Sequence, residues 1–251
     1  MPYEEHEVFQ PPADRNVTIW RYLSLGKFVS LLETRSLYFA RADRLGDPFE
    51  GAYSRANQEH RAEMYPDLPE ETRRTIADTL TQTLRRFRKQ VAVNCWHMNE
   101  HESAALWKLY ANGNEAVGIR STYSRLIESF GPDTPAVYVG VVNYIDYAGG
   151  GQIMPEGNLF YPFLHKRKNF EHERELRAIV AKWRPQPGLG ADTETIEDGL
   201  SISVNLETLL AEVRVPPAAP PWFAEVIRSV MARFEVPCSV VQSQLDELPD
   251  W

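Results

Sequence analysis

Three short patterns in succession between Thr18 and Ala42 constrain the fold most. TIWRYLS reads as a strand, LGKFVSLLET spaces its apolar residues as a helix does, and LYFARA reads as a second strand. A chain that opens β-α-β must build a sheet and lay a helix on it. The alternation returns further on. Val91–His97 (VAVNCWH) reads as a buried strand, Glu102–Ala111 as an amphipathic helix, Ala116–Arg120 as a strand and Tyr123–Phe130 as a helix. Val137–Tyr147 is strand-like, as is the end of Glu171–Val180. SISV, EVRVPP, a helix over Trp222–Phe234 and a closing CSVVQSQL complete a strand-rich C-terminal part. The expected class is α+β, with a mixed, largely antiparallel sheet and peripheral helices.

The connecting segments divide the chain. Residues 1–16 are polar and acidic and read as a flexible leader to a single domain over 17–251. Residues 54–90, Arg/Glu-rich and broken at Pro66 and Pro69, read as a helical insertion, and 186–251 as a β-α-β extension of the same domain. Gly149–Gly157 is Gly-rich but lacks the spacing of a phosphate cradle, and residues 183–194 form a Pro/Gly-rich loop.

Composition narrows the partners. A formal charge of −8 and a pI near 5.4 argue against general attraction to nucleic acid or anionic lipid. The short basic run Arg85-Arg86-Phe87-Arg88-Lys89 reads as a solvated helix face. Two cysteines in different strands, Cys95 and Cys238, indicate neither a disulfide framework nor a zinc cluster. With no apolar run long enough for a membrane span, a cytoplasmic protein without membrane association is expected.

His97-Met98-Asn99-Glu100-His101 has the H-x-x-E-H spacing of a zinc-hydrolase helix. Convergence of both imidazoles on one metal requires a helix through all five residues. Here His97 closes a strand and Asn99 is placed to cap the next helix with Glu102 at its third position, so no metal is assigned. Strand ends and helix starts of this kind gather ligands, which makes His97, Asn99 and Ser103 candidate pocket residues. Asp47 and Glu50 in GDPFEG offer two roles: Asp47 holds the turn before Pro48, or both carboxylates face a pocket with Lys166.

Taken in order, TIWRYLS, LYFARADRLGDPFEG, NCWHMNEHESAALWKLY, AVGIRSTYSRL and FLHKRKNFEHERELRAIV resemble a widespread bacterial and phage domain family of unknown function. Its marks are a Tyr-rich strand pair, an Asn- or Gly-Asp-Pro-Phe turn, a Trp-x-x-Tyr helix and a Lys…Glu-x-Glu-x-Arg segment. A fainter similarity is to ADP-ribosyltransferases of the Arg-Ser-Glu class, carried by Arg21, Ser121-Thr122 and the Glu-x-Glu patterns at Glu171, Glu173 and Glu175. In this chain Tyr123 stands where that pattern has a second Ser, and the gap from Arg21 to Ser121 is longer than the pattern's.

That similarity implies NAD as substrate. Arg21 and Lys166 would bind phosphates, Tyr38, Trp107 and Tyr110 would stack on a base or nicotinamide, Ser121 and Arg177 would contact ligand, and Glu173 or Glu175 would be catalytic. The leading reading is therefore a nucleotide- or NAD-binding, ADP-ribosyltransferase-like effector in phage defence or conflict, a role the resemblance alone implies. A noncatalytic sensor or interaction module is the alternative, and a zinc-dependent hydrolase the third.

Overall fold

The computed structural model describes residues 2–63, 66–110, 115–148, 152–182, 195–247 and 249. The β-α-β opening is present as β1 (Thr18–Ser24), α1 (Leu25–Thr34) and β2 (Ser36–Arg41). Phe28, Leu31 and Leu32 form the buried stripe of α1, and Arg35 ends the helix in a left-handed conformation at φ 46°. The GDPFEG turn follows, and Gly51 is required there. Its φ is +66°, and a Cβ would lie 2.6 Å from the Phe163 ring.

The segment expected to be a helical insertion holds α2 (Arg55–Glu63) and α3 (Glu70–Phe87), and α3 buries only Leu84 and Phe87. Next come β3 (Val91–Met98), α4 (Ala104–Tyr110), β4 (Ala116–Thr122) and α5 (Tyr123–Ser129). The expected strand over 137–147 is broken into β5 (Tyr138–Val141) and β6 (Asn143–Ile145). β7 (His165–Arg167), a 3-10 segment (Lys168–Glu173) and β8 (Glu175–Ala181) follow. The chain closes with β9 (Gly199–Ser203), α6 (Leu206–Leu209), β10 (Glu212–Val215), α7 (Pro221–Arg233) and β11 (Val240–Gln242).

Among the described residues the main sheet has nine strands, and β10–β11 is its one parallel pair. The fold is α+β with a largely antiparallel sheet. β6 and β7 form a separate parallel pair.

β3 is the branch point. β8 occupies one of its edges from Val91 to His97. The other edge is shared, with β1 joining at Trp20↔His97 and Ile19↔Met98 and β2 at Ala40↔Val93 and Arg41↔Ala92. On that edge Asn94, Cys95 and Trp96 have no strand partner among the described residues. From there β1 continues with β4 and β2 with β9, so the sheet forks. Side chains replace part of the missing ladder. Arg21 Nη1 donates to the Cys95 carbonyl at 2.5 Å, and Asn94 Nδ2 donates to the Tyr38 carbonyl at 2.9 Å.

Alternation along β3 explains its continuous apolar run. Ala92 and Trp96 join the larger core, while Val91 and Val93 join a second core with Phe87, Phe163 and Ile179. A strand covered on both faces reads as unbroken hydrophobics. The leader expected to be loose is packed along β5: Val8 and Phe9 are buried, Val141 N donates to Gln10 O, and a Cβ on Gly140 would meet Phe9 Cα at 2.9 Å. The loop expected over 183–194 lies outside the described residues, as do residues 149–151 of the Gly-rich segment.

Candidate functional site

A cleft of about 450 Å³ opens in the fork, between β1 and α1 on one side and β2 and β9 on the other, with β3, β7 and β8 beneath. Strand pairing sets its ionic floor. His97 lies across from Glu175 and Cys95 across from Arg177, so all four share one face of the β3–β8 pair.

From this floor a chain of alternating charges rises to the cleft. Arg177, fully buried, uses every donor it has. Nε donates to Glu175 Oε1 at 2.8 Å, Nη1 to Glu50 Oε1 and to Phe163 O at 2.6 Å, and Nη2 to Glu50 Oε2 at 2.9 Å and Glu175 Oε2 at 3.1 Å. Lys166 Nζ lies 3.1 Å from Glu175 Oε2 and 2.5 Å from Glu173 Oε2. Glu173 Oε1 accepts from the Tyr110 hydroxyl at 3.5 Å. The Glu175 backbone N–H donates to Tyr144 Oη at 2.8 Å.

These contacts set the protonation states. Burial works against an ionised Glu175, but Arg177 and then Lys166 outweigh it and bring its carboxyl down to about 2. Burial also works against a charged Lys166, and Glu175 with Glu173 outweighs it, so the ammonium is held well above its ordinary range. Burial raises Glu50, with Arg177 opposing. Tyr110 is pushed up to about 12, by burial first and then by the charge of Glu173. Burial lowers His97. Its Nδ1, 2.6 Å from the Glu173 carbonyl, must donate there, so the neutral ring turns an acceptor Nε2 that has no hydrogen-bond partner.

Arg21 differs from every cation in that chain. Among the described residues its guanidinium makes one hydrogen bond, to the Cys95 carbonyl, and no ion pair, and burial lowers its pKa. Four cationic side chains against three carboxylates line the cleft, Lys27 of α1 being the fourth, which leaves a local cationic excess in a chain of charge −8. The arrangement suits an anionic ligand on Arg21, with a polarised carboxylate, Glu173, on the same cleft.

No protein-family model and no curated protein matches the chain. Among solved structures it is similar to DarT from Thermus sp. 2.9 in complex with NAD+, at 9% identity and a TM-score of 0.41, covering 94% of this chain and 98% of that one. A likeness at that level assigns no residue a role.

The cleft gathers Arg21, Tyr38, His97, Tyr110, Lys166, Glu173, Glu175 and Arg177 from eight separate positions in the sequence. Five expected pocket residues lie elsewhere: Asn99, Ser103, Trp107, Ser121 and Asp47. Trp107 is buried against Trp20 and Tyr22, with Nε1 bonded to Glu102 at 2.8 Å. Ser121 is fully buried and donates to the Leu209 carbonyl at 2.5 Å. Asp47 takes the turn role: Oδ1 accepts from Phe49 N at 3.0 Å, and the carboxylate pairs with Arg167 at 2.9 Å. Arg177 and Glu175 line the floor, but Arg177 has no donor left for a ligand and Glu175 is fixed between two cations.

The expected cap also moves. The α4 helix begins at Ala104, and Ser103 Oγ accepts from Leu106 N at 3.3 Å, whereas the Asn99 backbone pairs with Thr18 and Trp20. His97 is thus on a strand and exposed His101 precedes the helix, so the two imidazoles do not share a helix face. Among the described residues no group of three or more His, Cys, Asp or Glu is placed to hold a metal.

Lys27, Tyr144 and Ser201 escaped the sequence reading. Lys27, Ser30 and Thr34 form a polar row at helical spacing along α1, a pattern that marks the wall on inspection of the helix alone. Nothing local marks Tyr144 or Ser201, which meet the site through strand pairing.

Proposed function

We propose that the cleft binds a nucleotide by its phosphate charge, with NAD as the candidate, and that Glu173 assists transfer of its ADP-ribose moiety. The observation that carries this reading is Arg21, a cleft cation without a carboxylate partner in a site where Lys166 and Arg177 are fully paired. A guanidinium with free donors on one edge forks onto a phosphate. Half-exposed Tyr38 and Tyr110 offer aromatic faces on the same cleft.

The chemistry follows from the charges. The bond between ribose C1′ and the nicotinamide nitrogen breaks, its electron pair neutralises the pyridinium, and the sugar becomes oxocarbenium-like. Glu173 stabilises that cation, and the acceptor's lone pair bonds to C1′ as its proton passes to the carboxylate. With water as acceptor the products are ADP-ribose and nicotinamide. An effector role toward a macromolecular target rests on the family resemblance alone. No helix among the described residues is long and apolar enough to cross a membrane.

A second reading, a nucleotide sensor without turnover, draws on one observation: both Glu173 oxygens already have partners, Lys166 and Tyr110. One experiment separates the two. Purified full-length protein is titrated with NAD while melting temperature and nicotinamide release are followed. The transferase reading expects a rise in Tm that Arg21→Ala abolishes, and release that Glu173→Gln lowers by about a hundredfold or more with binding intact. Binding without release selects the sensor. No response to NAD or ADP-ribose overturns both.

A further inference from the structure

Lys166, expected from the sequence to hold a phosphate, is committed otherwise. We propose that Lys166 is the positioning residue for Glu173, holding that carboxylate at the cleft wall while Glu175, Arg177 and Glu50 hold Lys166 in turn. The inference rests on the transferase reading for its reaction, and on the ion geometry for everything else.

Three features of the local backbone make a holder necessary. The strand β8 begins only at Glu175, and Arg174 before it is a non-glycine residue in the left-handed region at φ 40°. Glu173 ends a 3-10 segment that adds no residue to the core, so no strand ladder fixes it, although its side chain is only 14% exposed. The hydrogen bonds of its side chain are to Lys166 at 2.5 Å and, longer, to Tyr110 at 3.5 Å. Left alone, a glutamate at such a junction would sample several rotamers, and a carboxylate that must meet a developing cation needs one.

Lys166 is suited to the task because its own position is fixed twice. Its side chain is only 11% exposed, and its ammonium bridges Glu173 and Glu175 and lies 4.8 Å from the centre of the Phe170 ring. Glu175, behind it, is anchored by two bonds from Arg177, which Glu50 and the Phe163 carbonyl lock from below. The titratable groups around Glu173 are Lys166 on β7, Tyr110 on α4, His97 on β3, Tyr144 on β6, Glu175 on β8, and Arg174 and His172 in its own segment. Lys166 is the one cation among them in contact with the carboxylate. Phosphate recognition therefore falls to Arg21, and an anion that took Lys166 would have to displace Glu173 first.

Two double-mutant cycles on the full chain test this. In the first, turnover of NAD is measured for Lys166→Met, Glu173→Gln and the double variant. Lys166→Met should lower kcat by about tenfold or more with KM changed far less, as expected when a positioned acid–base group is lost. In the Glu173→Gln background it should cost less than about twofold, because a residue acting through another has nothing left to act on. Lys166→Arg should restore most of kcat. Equal losses in both backgrounds, or a loss confined to KM, would overturn the proposal.

The second cycle reads Tm without ligand. Lys166→Met should lower Tm less when Glu173 is already Gln, since the cost of leaving Glu175 with one cation is common to both backgrounds and cancels. Additive shifts would show that Lys166 does not hold Glu173, whatever the protein turns over. Wild-type protein that binds NAD but releases no nicotinamide would instead remove the transferase reading and leave this second cycle to decide the ion pair. Should Lys166→Met not fold, both cycles run on the Glu175→Gln chain, where the loss of Lys166 strands no buried carboxylate.

Discussion

The two ends of the charge chain use the same residue types to opposite ends. At the base, Glu50, Arg177 and Glu175 are at most 3% exposed, and Arg177 has no donor without an acceptor. At the top, Glu173 keeps one short bond and one long one, Tyr110 is half-exposed, and the Arg21 guanidinium across the cleft keeps free donors. Buried charge is tolerated only when it is saturated, whereas a ligand can be taken only by groups that are not. Saturation, more than residue type, separates the scaffold from the site.

The largest effect should follow from desaturating the base. Arg177→Met leaves Glu50 and Glu175 buried without their shared cation, and breaking a buried pair of this kind costs about 3–5 kcal/mol. Urea denaturation measures it directly. Adding Glu50→Gln to Arg177→Met should recover part of the loss, because the neutral amide no longer carries an unpaired charge. A single variant as stable as wild type would mean that the base is not held by its charges, and the contrast between the two ends would fail.

Acid should reach the base next. Glu175 titrates at about 2 in the folded protein against 4.5 ordinarily, so its contribution is complete above 4.5 and is lost as pH falls from there toward 2. Stability measured across that window should drop in wild type and drop less steeply in Glu175→Gln. The lysine end gives no counterpart in acid, because a group whose pKa is raised loses its contribution only on the alkaline side.

How far the sequence foretold this contrast depends on whether a feature is local. The β-α-β opening, the helices between Arg55 and Phe87 and the closing strands were legible because each is a periodicity of neighbouring residues. The fork was not, since nothing within VAVNCWH says that one edge of β3 is divided between β1 and β2. The Glu-x-Glu-x-Arg segment shows the limit within one motif. Glu173, Glu175 and Arg177 at alternate positions suggest a single strand face, yet the left-handed Arg174 takes Glu173 off the strand and gives it a different fate from Glu175. Likewise Trp107 and Tyr110 are one helical turn apart on α4. The difference of a few tens of degrees buries the first against Trp20 and Tyr22 and leaves the second half-exposed at the cleft.

The smallest expected effect belongs to the wall opposite the charges and sharpens the comparison because no ion pair is involved. Tyr38 is 51% exposed on β2, and its backbone carbonyl is held by Asn94 where β3 lacks a strand partner. Since the ring contributes little to the core, Tyr38→Leu should change stability by no more than about 0.5 kcal/mol. If the ring stacks on a base or on nicotinamide, the same change should weaken NAD by about 1 kcal/mol or somewhat more, the lower range for base–aromatic stacking. Inorganic pyrophosphate, which has no ring, should bind as before, and Tyr38→Phe should bind NAD as wild type does. Calorimetric titration with both ligands separates the outcomes. A loss of pyrophosphate affinity in Tyr38→Leu would mean that the wall supports Arg21 rather than the ligand's ring, and the division of the cleft into a charged side and a stacking side would have to be redrawn.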